Sequence, residues 1–318
     1  MKAILKKDLW SISSFLENKN YSFDKKKILV NLPEDFIDEA IESISSWDTY
    51  SPTPLIKLNK LNEELKFKEI YYKDEDNRFN LKSFKALGGA FAVYKIASKK
   101  NNITVATATA GNHGRSVAWG AQRLGLKCKI FISENVSESR AEAMRNLDAD
   151  VIRVQGNYDN SLKECIKQSK DNNWEIVQDV SWEGYKEVPK LIMSGYTIMI
   201  KEIIDQIDAN SITHVFLQAG VGGMAAAMIA GFAHLSKNIP KFIVVEPENA
   251  DCVFKSIKNN KPTTVNIKKE TVMGGMSCGD VSSIAWEILK NSTQYCITIS
   301  DDAISSAVAL LAKGRLYN

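Results

Sequence analysis

The chain has 318 residues, 44% of them hydrophobic and 25% charged, with 41 basic against 38 acidic side chains and a formal charge of +3. That length can bury one large core or two ordinary ones. The interspersed lysines and acids give nucleic-acid or membrane-surface binding no electrostatic support. Five cysteines (Cys128, Cys165, Cys252, Cys278, Cys296) stand far apart without a CxxC pair, which argues against zinc and against a disulfide framework. With no signal-like start and no stretch approaching eighteen apolar residues, a cytoplasmic protein in a reducing compartment is expected.

The first fifty residues are polar with scattered aromatics (Trp10, Phe15, Tyr21, Phe36), and read as an N-terminal wrap followed by a helix over 36–47. Ser51-Pro52-Thr53-Pro54 interrupts regular structure, because each proline restricts itself and its predecessor. LIKLNKLNEELKF then reads as a short helix and EIYYKDED as a strand, before a helix beginning near Ser83. From Ile103 strands and helices alternate: ITVATAT with RSVAWGAQRLG, CKIFIS with SESRAEAMRNLD, ADVIRVQ with DNSLKECIKQSKDNN, then WEIVQD. Strands separated by helices of this length are the crossover units of a parallel sheet. A long helix over 186–207, carrying Gly195, is read as the return from one α/β lobe to another. THVFLQ, MAAAMIAGFAHL and KFIVVEP then resume the alternation.

Four places carry candidate chemistry. Lys85, flanked by Phe84, Ala86 and Leu87 and followed by Gly88 and Gly89, suggests an amine in an apolar pocket beside a tight turn. Burial disfavours the ammonium, so such a lysine can serve as a nucleophile. TATAGNHGR, 107–115, places Asn112 and His113 between Gly111 and Gly114 at a strand-to-helix turn, where open α/β sheets bind ligands. QAGVGG, 218–223, offers backbone amides and a helix N-terminus that together suit a phosphate, although it is neither a P-loop nor GxGxxG. VMGGMSCGD, 272–280, is a glycine-rich loop that approaches a ligand or simply turns. For each, a plain packing turn, cap or surface lysine is the alternative; His214 and His234 are too remote from His113 in sequence to suggest a metal site.

Taken together, a buried lysine, an asparagine among glycines and a later phosphate turn suit an aldehyde cofactor bearing a phosphate, pyridoxal 5'-phosphate (PLP). YSPTPLIKL, YYKDEDNRFNLKSFKALGGAFA, GNHGRSVAWGAQRLG, QDVSWEGY, QAGVGG and VMGGMSCGD, spread over about residues 50 to 290, closely resemble the diaminopropionate ammonia-lyases among the tryptophan-synthase-like enzymes. The resemblance implies an α/β, fold type II PLP-dependent enzyme with two three-layer α/β lobes and mainly parallel sheets. It implies a larger PLP-binding lobe of residues 1–95 and 196–318, a smaller inserted lobe of 96–195, and a homodimer. Lys85 would carry the cofactor aldehyde and act as base; Phe84, Asn112, Gly220, Val221, Gly222, Gly223 and Met224 would hold the cofactor, and Asn112 its ring hydroxyl. Thr109, Ala110, Gly111 and His113 would bind the substrate carboxylate, and Asp179 its second amine. The activity implied is β-elimination of 2,3-diaminopropionate to pyruvate and ammonia, with a serine or threonine dehydratase-like lyase, or an inactive relative, as alternatives.

Two departures bear on that expectation. The family pattern TDGNHGR has an aspartate where this chain has Ala110, which predicts a preference for the L-isomer. The family also continues beyond KGRLYN at 318, so the larger lobe is expected to be C-terminally incomplete, with apolar surface exposed. Cys252 and Cys278 flank loops that the family places near the cleft, and are expected as thiols.

Overall fold

The computed structural model describes residues 12–109 and 111–312. Ala110, Trp10 and the KGRLYN terminus therefore lie outside the described residues. In chain order, β1 (Ile12–Glu17), α1 (Lys25–Asn31), α2 (Glu34–Ser45), β2 (Leu55–Lys57), α3 (Asn59–Leu65) and β3 (Tyr71–Lys73) lead to α4 (Lys85–Ala97). The alternating region follows as β4 (Thr104–Ala108), α5 (Asn112–Arg123), β5 (Lys127–Ser133), α6 (Glu138–Arg145), β6 (Ala149–Val154), α7 (Tyr158–Asn172) and β7 (Glu175–Ile176). The remainder is α8 (Glu187–Tyr196), α9 (Ile198–Gln206), β8 (His214–Gln218), α10 (Gly223–Leu235), β9 (Lys241–Pro247), α11 (Cys252–Asn259), α12 (Ser283–Ser292), β10 (Tyr295–Ile299) and α13 (Asp301–Ala312).

The chain divides into two compact units. One contains residues 1–30, 52–74 and 200–318, the other 31–51 and 75–199. The boundaries expected at 95 and 195 thus fall elsewhere, and α4 with Lys85 belongs to the unit of the alternating region. The reason is close helix packing: a Cβ on Gly88 would stand 2.4 Å from the Ile192 carbonyl oxygen, and one on Gly195 2.8 Å from the Gly88 Cα. Only glycine lets α4 and α8 approach so nearly.

In the unit of residues 75–199, β6-β5-β4-β7 form an all-parallel sheet. Alternate residues Ala106 and Ala108 of β4, with Phe131 of β5 and Cys165 of α7, make one buried face, covered by Ile152, Val154, Leu162 and Trp174. Small residues on the central strand admit the larger aromatic beside them, as close packing demands. The short β7 places Val177, Gln178 and Asp179 just beyond its end.

In the other unit the sheet order is β1-β10-β9-β8, with β8, β9 and β10 parallel and β1 antiparallel on the edge. The expected N-terminal wrap is therefore partly a strand: Phe15 pairs with Ile297 in register and stacks on Tyr295 at 5.6 Å. β2 and β3 pair apart from it. There the Thr53 amide and hydroxyl and the Lys73 ammonium all donate to the buried Glu202 carboxylate, fixing the SPTP segment to α9.

The helix expected over 186–207 is two helices. At the junction the Thr197 hydroxyl and amide both donate to the Ser194 carbonyl, at 2.6 and 3.0 Å, a tighter turn than the α-helical ladder. Among the described residues no helix is long and apolar enough to cross a membrane.

Candidate active site

Lys85 opens α4 in the unit of residues 75–199. Its approach is unusual: Phe79, Asn80 and Lys82 all have positive φ, 49°, 59° and 54°. Left-handed backbone at three non-glycine residues so close together is strained, and persists where surrounding contacts over-determine it. Those contacts are present. Phe79 stacks on Trp119 at 4.5 Å and meets Trp47 at 5.8 Å. Arg78, almost fully buried, takes the Glu75 carboxylate on two nitrogens at 2.8 and 2.9 Å and also donates to the Ser51 carbonyl.

The Ser83 hydroxyl accepts the Lys85 amide, and the Ser116 hydroxyl of α5 donates to the Lys85 carbonyl. Ala86 and Leu87 are buried as expected. The apolar pocket expected for the amine itself is corrected by the structure: Lys85 Nζ ends on a carboxylate, 2.7 Å from Asp179 Oδ2. The two side chains are 25% and 15% exposed, so the pair is largely withdrawn from water.

Asp179 is set in place by its neighbours. The Gln178 side chain accepts from the Thr107 hydroxyl and the Ala108 amide, and donates to the Ala108 carbonyl and the Tyr158 hydroxyl. The Tyr185 hydroxyl accepts the Gln178 amide and donates to the Ile176 carbonyl, while its ring stacks on Trp182 at 4.2 Å. Burial raises the pKa of the Asp179 carboxyl, but the field His113 exerts when it is protonated, and the field and hydrogen bond of Lys85, more than reverse this and hold it well below the usual carboxylate range.

The 109–113 loop continues β4. The Thr109 amide donates to Phe131, and the Thr109 hydroxyl accepts the Gly111 amide at 3.1 Å. Asn112, at the first position of α5, is exposed, whereas His113 is buried. His113 Nε2 lies 2.8 Å from the Val177 carbonyl, and Nδ1 faces Asp179 Oδ2 at 3.8 Å. The structure thus gathers Lys85, His113 and Asp179, and places Thr109, Gly111 and Asn112 on the same strand-to-helix turn. Phe84 meets Tyr196 edge-on at 5.1 Å.

In the other unit Gly220, Val221 and Gly222 lie between β8 and α10, and Gly223 and Met224 open α10, a strand–turn–helix arrangement. Gly222 has φ 88° and caps α10, and the Ser282 amide donates to the Val221 carbonyl. A side chain at Gly222 would meet Leu289 Cδ1 at 2.7 Å. The VMGGMSCGD loop packs against this glycine turn: a Cβ on Gly220 would stand 3.0 Å from Cys278 Sγ and 3.2 Å from the Gly275 carbonyl oxygen. Cys252 donates its thiol to the Gly220 carbonyl, and Cys252 and Cys278 are both thiols.

Each unit by itself carries groups that suit part of PLP: in one a primary amine at a helix head, able to take an aldehyde, and in the other a glycine turn whose following helix presents amides without intrahelical acceptors, able to take a phosphate. Among the described residues no group of His, Cys, Asp and Glu could hold a metal ion.

Gln178 and Tyr196 were not singled out from the sequence. Gln178 had a faint signal, a polar residue ending an apolar strand run, but Tyr196 had none.

A family of pyridoxal-phosphate dependent enzymes matches residues 47–317, and the chain belongs to that family; its cofactor is pyridoxal 5'-phosphate. Within the family it stands with the ammonia-lyases. It is 35% identical over 283 residues to the diaminopropionate ammonia-lyase of Escherichia coli (strain K12), an alignment covering 82% of this chain and 71% of that protein. The crystal structure of the Escherichia coli enzyme in complex with an aminoacrylate-PLP azomethine reaction intermediate superposes with a TM-score of 0.83 at 33% identity, over 92% of this chain and 78% of that one. The same enzyme in complex with D-serine gives 0.82 at 32% identity, over 91% and 77%.

Proposed function

We propose that this chain eliminates ammonia from 2,3-diaminopropionate, yielding pyruvate and a second ammonia. The observation that supports it is the Lys85 amine on the Asp179 carboxylate at 2.7 Å, in a chain 35% identical to diaminopropionate ammonia-lyase. When bound, PLP supplies the electron sink for negative charge at the substrate Cα. Lys85 would hold the aldehyde of the bound cofactor, and its free amine would serve as general base toward the substrate Cα. Asn112 would hydrogen-bond the cofactor's ring hydroxyl, Phe84 would contact the cofactor, and the amides of Gly220, Val221, Gly222, Gly223 and Met224 would hold its phosphate. The loop of Thr109, Ala110, Gly111 and His113 binds the substrate carboxylate through its backbone, which orients Cα.

Asp179, ionised well below neutral pH, accepts the β-ammonium and keeps it beside the bond that breaks. Ala110 can neither accept a proton nor pair with an amine, so the L-isomer is the preferred substrate. The enzyme acts as a cytoplasmic homodimer.

The test is the visible spectrum of the 318-residue protein with PLP, before and after L-2,3-diaminopropionate, with pyruvate assayed alongside. The expected result is a band absent from Lys85→Ala, changed by substrate, with pyruvate formed. A band indifferent to Lys85, or no pyruvate, overturns the assignment. D-isomer turnover equal to that of the L-isomer would sink the stereochemical part alone, and sedimentation as a monomer would sink the dimer.

A further inference from the structure

The His113 ring has a second nitrogen that the functions above leave unused. Nδ1 is buried and has no hydrogen-bond partner, in a side chain 2% exposed. The other nitrogen fixes the tautomer. A carbonyl can only accept, so the Nε2 that lies 2.8 Å from the Val177 carbonyl carries the proton, and Nδ1 of the neutral ring carries a lone pair. That lone pair faces Asp179 Oδ2 at 3.8 Å, the same oxygen that takes the Lys85 ammonium at 2.7 Å. A buried acceptor nitrogen and a largely shielded carboxylate oxygen therefore face each other, and one cation beside them keeps the arrangement neutral.

We propose that His113 is the charge balance of the Lys85–Asp179 pair: it stays neutral while the Lys85 ammonium sits on Asp179, and binds a proton at Nδ1 when that positive charge is withdrawn. Without the ammonium, a carboxylate largely withdrawn from water would stand against an imidazole lone pair with no counter-charge, which is costly. Protonating the imidazole costs little by comparison, since its ordinary pKa lies close to neutral. The balance is one for one. Lys85 loses a positive charge, Nδ1 gains a proton from solvent, and Nδ1–H then points at Oδ2. When an ammonium returns, from Lys85 or from a diamino substrate, that proton leaves.

The ionisable groups facing His113 are Asp179 from the segment after β7 and Lys85 from α4, while Tyr196 of α8 stands in the field of Asp179 and Arg115 follows on α5 itself. Burial lowers the pKa of His113, Asp179 raises it, and Lys85 lowers it again. Removing the Lys85 charge deletes one of the two lowering causes and leaves both raising ones, Asp179 and the Val177 hydrogen bond. His113 is accordingly a positioning residue that acts through Asp179, keeping the carboxylate ionised and aimed through a cycle in which Lys85 changes charge. The inference draws on the proposed function only for that change of charge.

The test is nitrogen NMR of the full chain labelled with 15N-histidine, His113 being assigned against His214 and His234 by its loss in His113→Gln. In the PLP-free unsubstituted protein, where Lys85 is the ammonium on Asp179, His113 should show the Nε2–H tautomer and titrate below an ordinary histidine. In Lys85→Met its midpoint should rise by a pH unit or more, and Asp179→Asn in that background should bring it down again. Lys85→Arg, which keeps the charge, should leave it low. An unchanged midpoint in Lys85→Met, or an Nδ1–H tautomer in the unsubstituted protein, overturns the proposal. Lys85→Gln carries the same reading should the methionine variant fail to fold. No turnover is involved, so a failed lyase assay and a failed charge balance are separate results.

Discussion

Asp179, largely withdrawn from water, and Glu246, fully buried, are carboxylates near strand ends, one in each unit, and their titrations go in opposite directions. Asp179 is held far below the usual range, with an ammonium and an imidazole beside it. Burial pushes Glu246 up to about 8, even though it accepts the Val253 and Phe254 amides at the head of α11, at 2.9 and 2.7 Å. Burial opposes both charges. What differs is the partner: full cationic charge overcomes desolvation, whereas two amide dipoles, with Asp251 adding a like charge nearby, do not. The first arrangement suits a group that meets a substrate cation, and the second suits a capping group.

The hardest blow to this comparison is Glu246→Ala. It leaves two buried amides without acceptors and should destabilise the protein by roughly 3 kcal/mol, read from denaturant midpoints. A loss under half that would show the cap to be dispensable. Asp179→Asn should leave the fold intact, because an amide still accepts from Lys85. It should cut kcat/KM on L-2,3-diaminopropionate by about 10²-fold. Near-normal kinetics would remove Asp179 from the reaction.

The pH dependence sharpens the contrast. Glu246 has its folded pKa raised from 4.5 to about 8, so its contribution to stability is full below 4.5 and is lost as pH rises through about 8. Asp179 has its folded pKa depressed from 3.8, so its contribution is present above 3.8 and is lost as pH falls through the lower folded value. Thermal midpoints of Glu246→Gln should therefore decline less than wild type between pH 5 and 9, while those of Asp179→Asn should decline less on the acid side. Parallel curves would contradict the assignment. The smallest effect belongs to Lys100→Ala, which breaks a largely exposed pair with Glu175 and should shift stability by less than about 0.5 kcal/mol.

Strand and helix alternation from β4 to β7 was legible because side-chain period reports local structure directly. The glycine turn before α10 was legible for a related reason: positive φ at Gly222 needs glycine, and the residue type announces it. The strand β1 was not, since ISSFLE is exposed at most positions and gains its register only from β10. Nor was the break at Thr197, where helical residues run on both sides and a single hydroxyl tightens the turn.

The sequence by itself determined the alternating α/β plan, the lysine, the asparagine turn and the glycine turn before α10, because each is written in adjacent residues. Only the tertiary structure decided that Lys85 meets Asp179, 94 positions away, and that His113 turns a bare nitrogen toward the same oxygen. It also decided that α4 belongs with α5 and α8. Charge pairing and helix packing depend on distances across the folded chain, and local sequence carries residue identities without those distances.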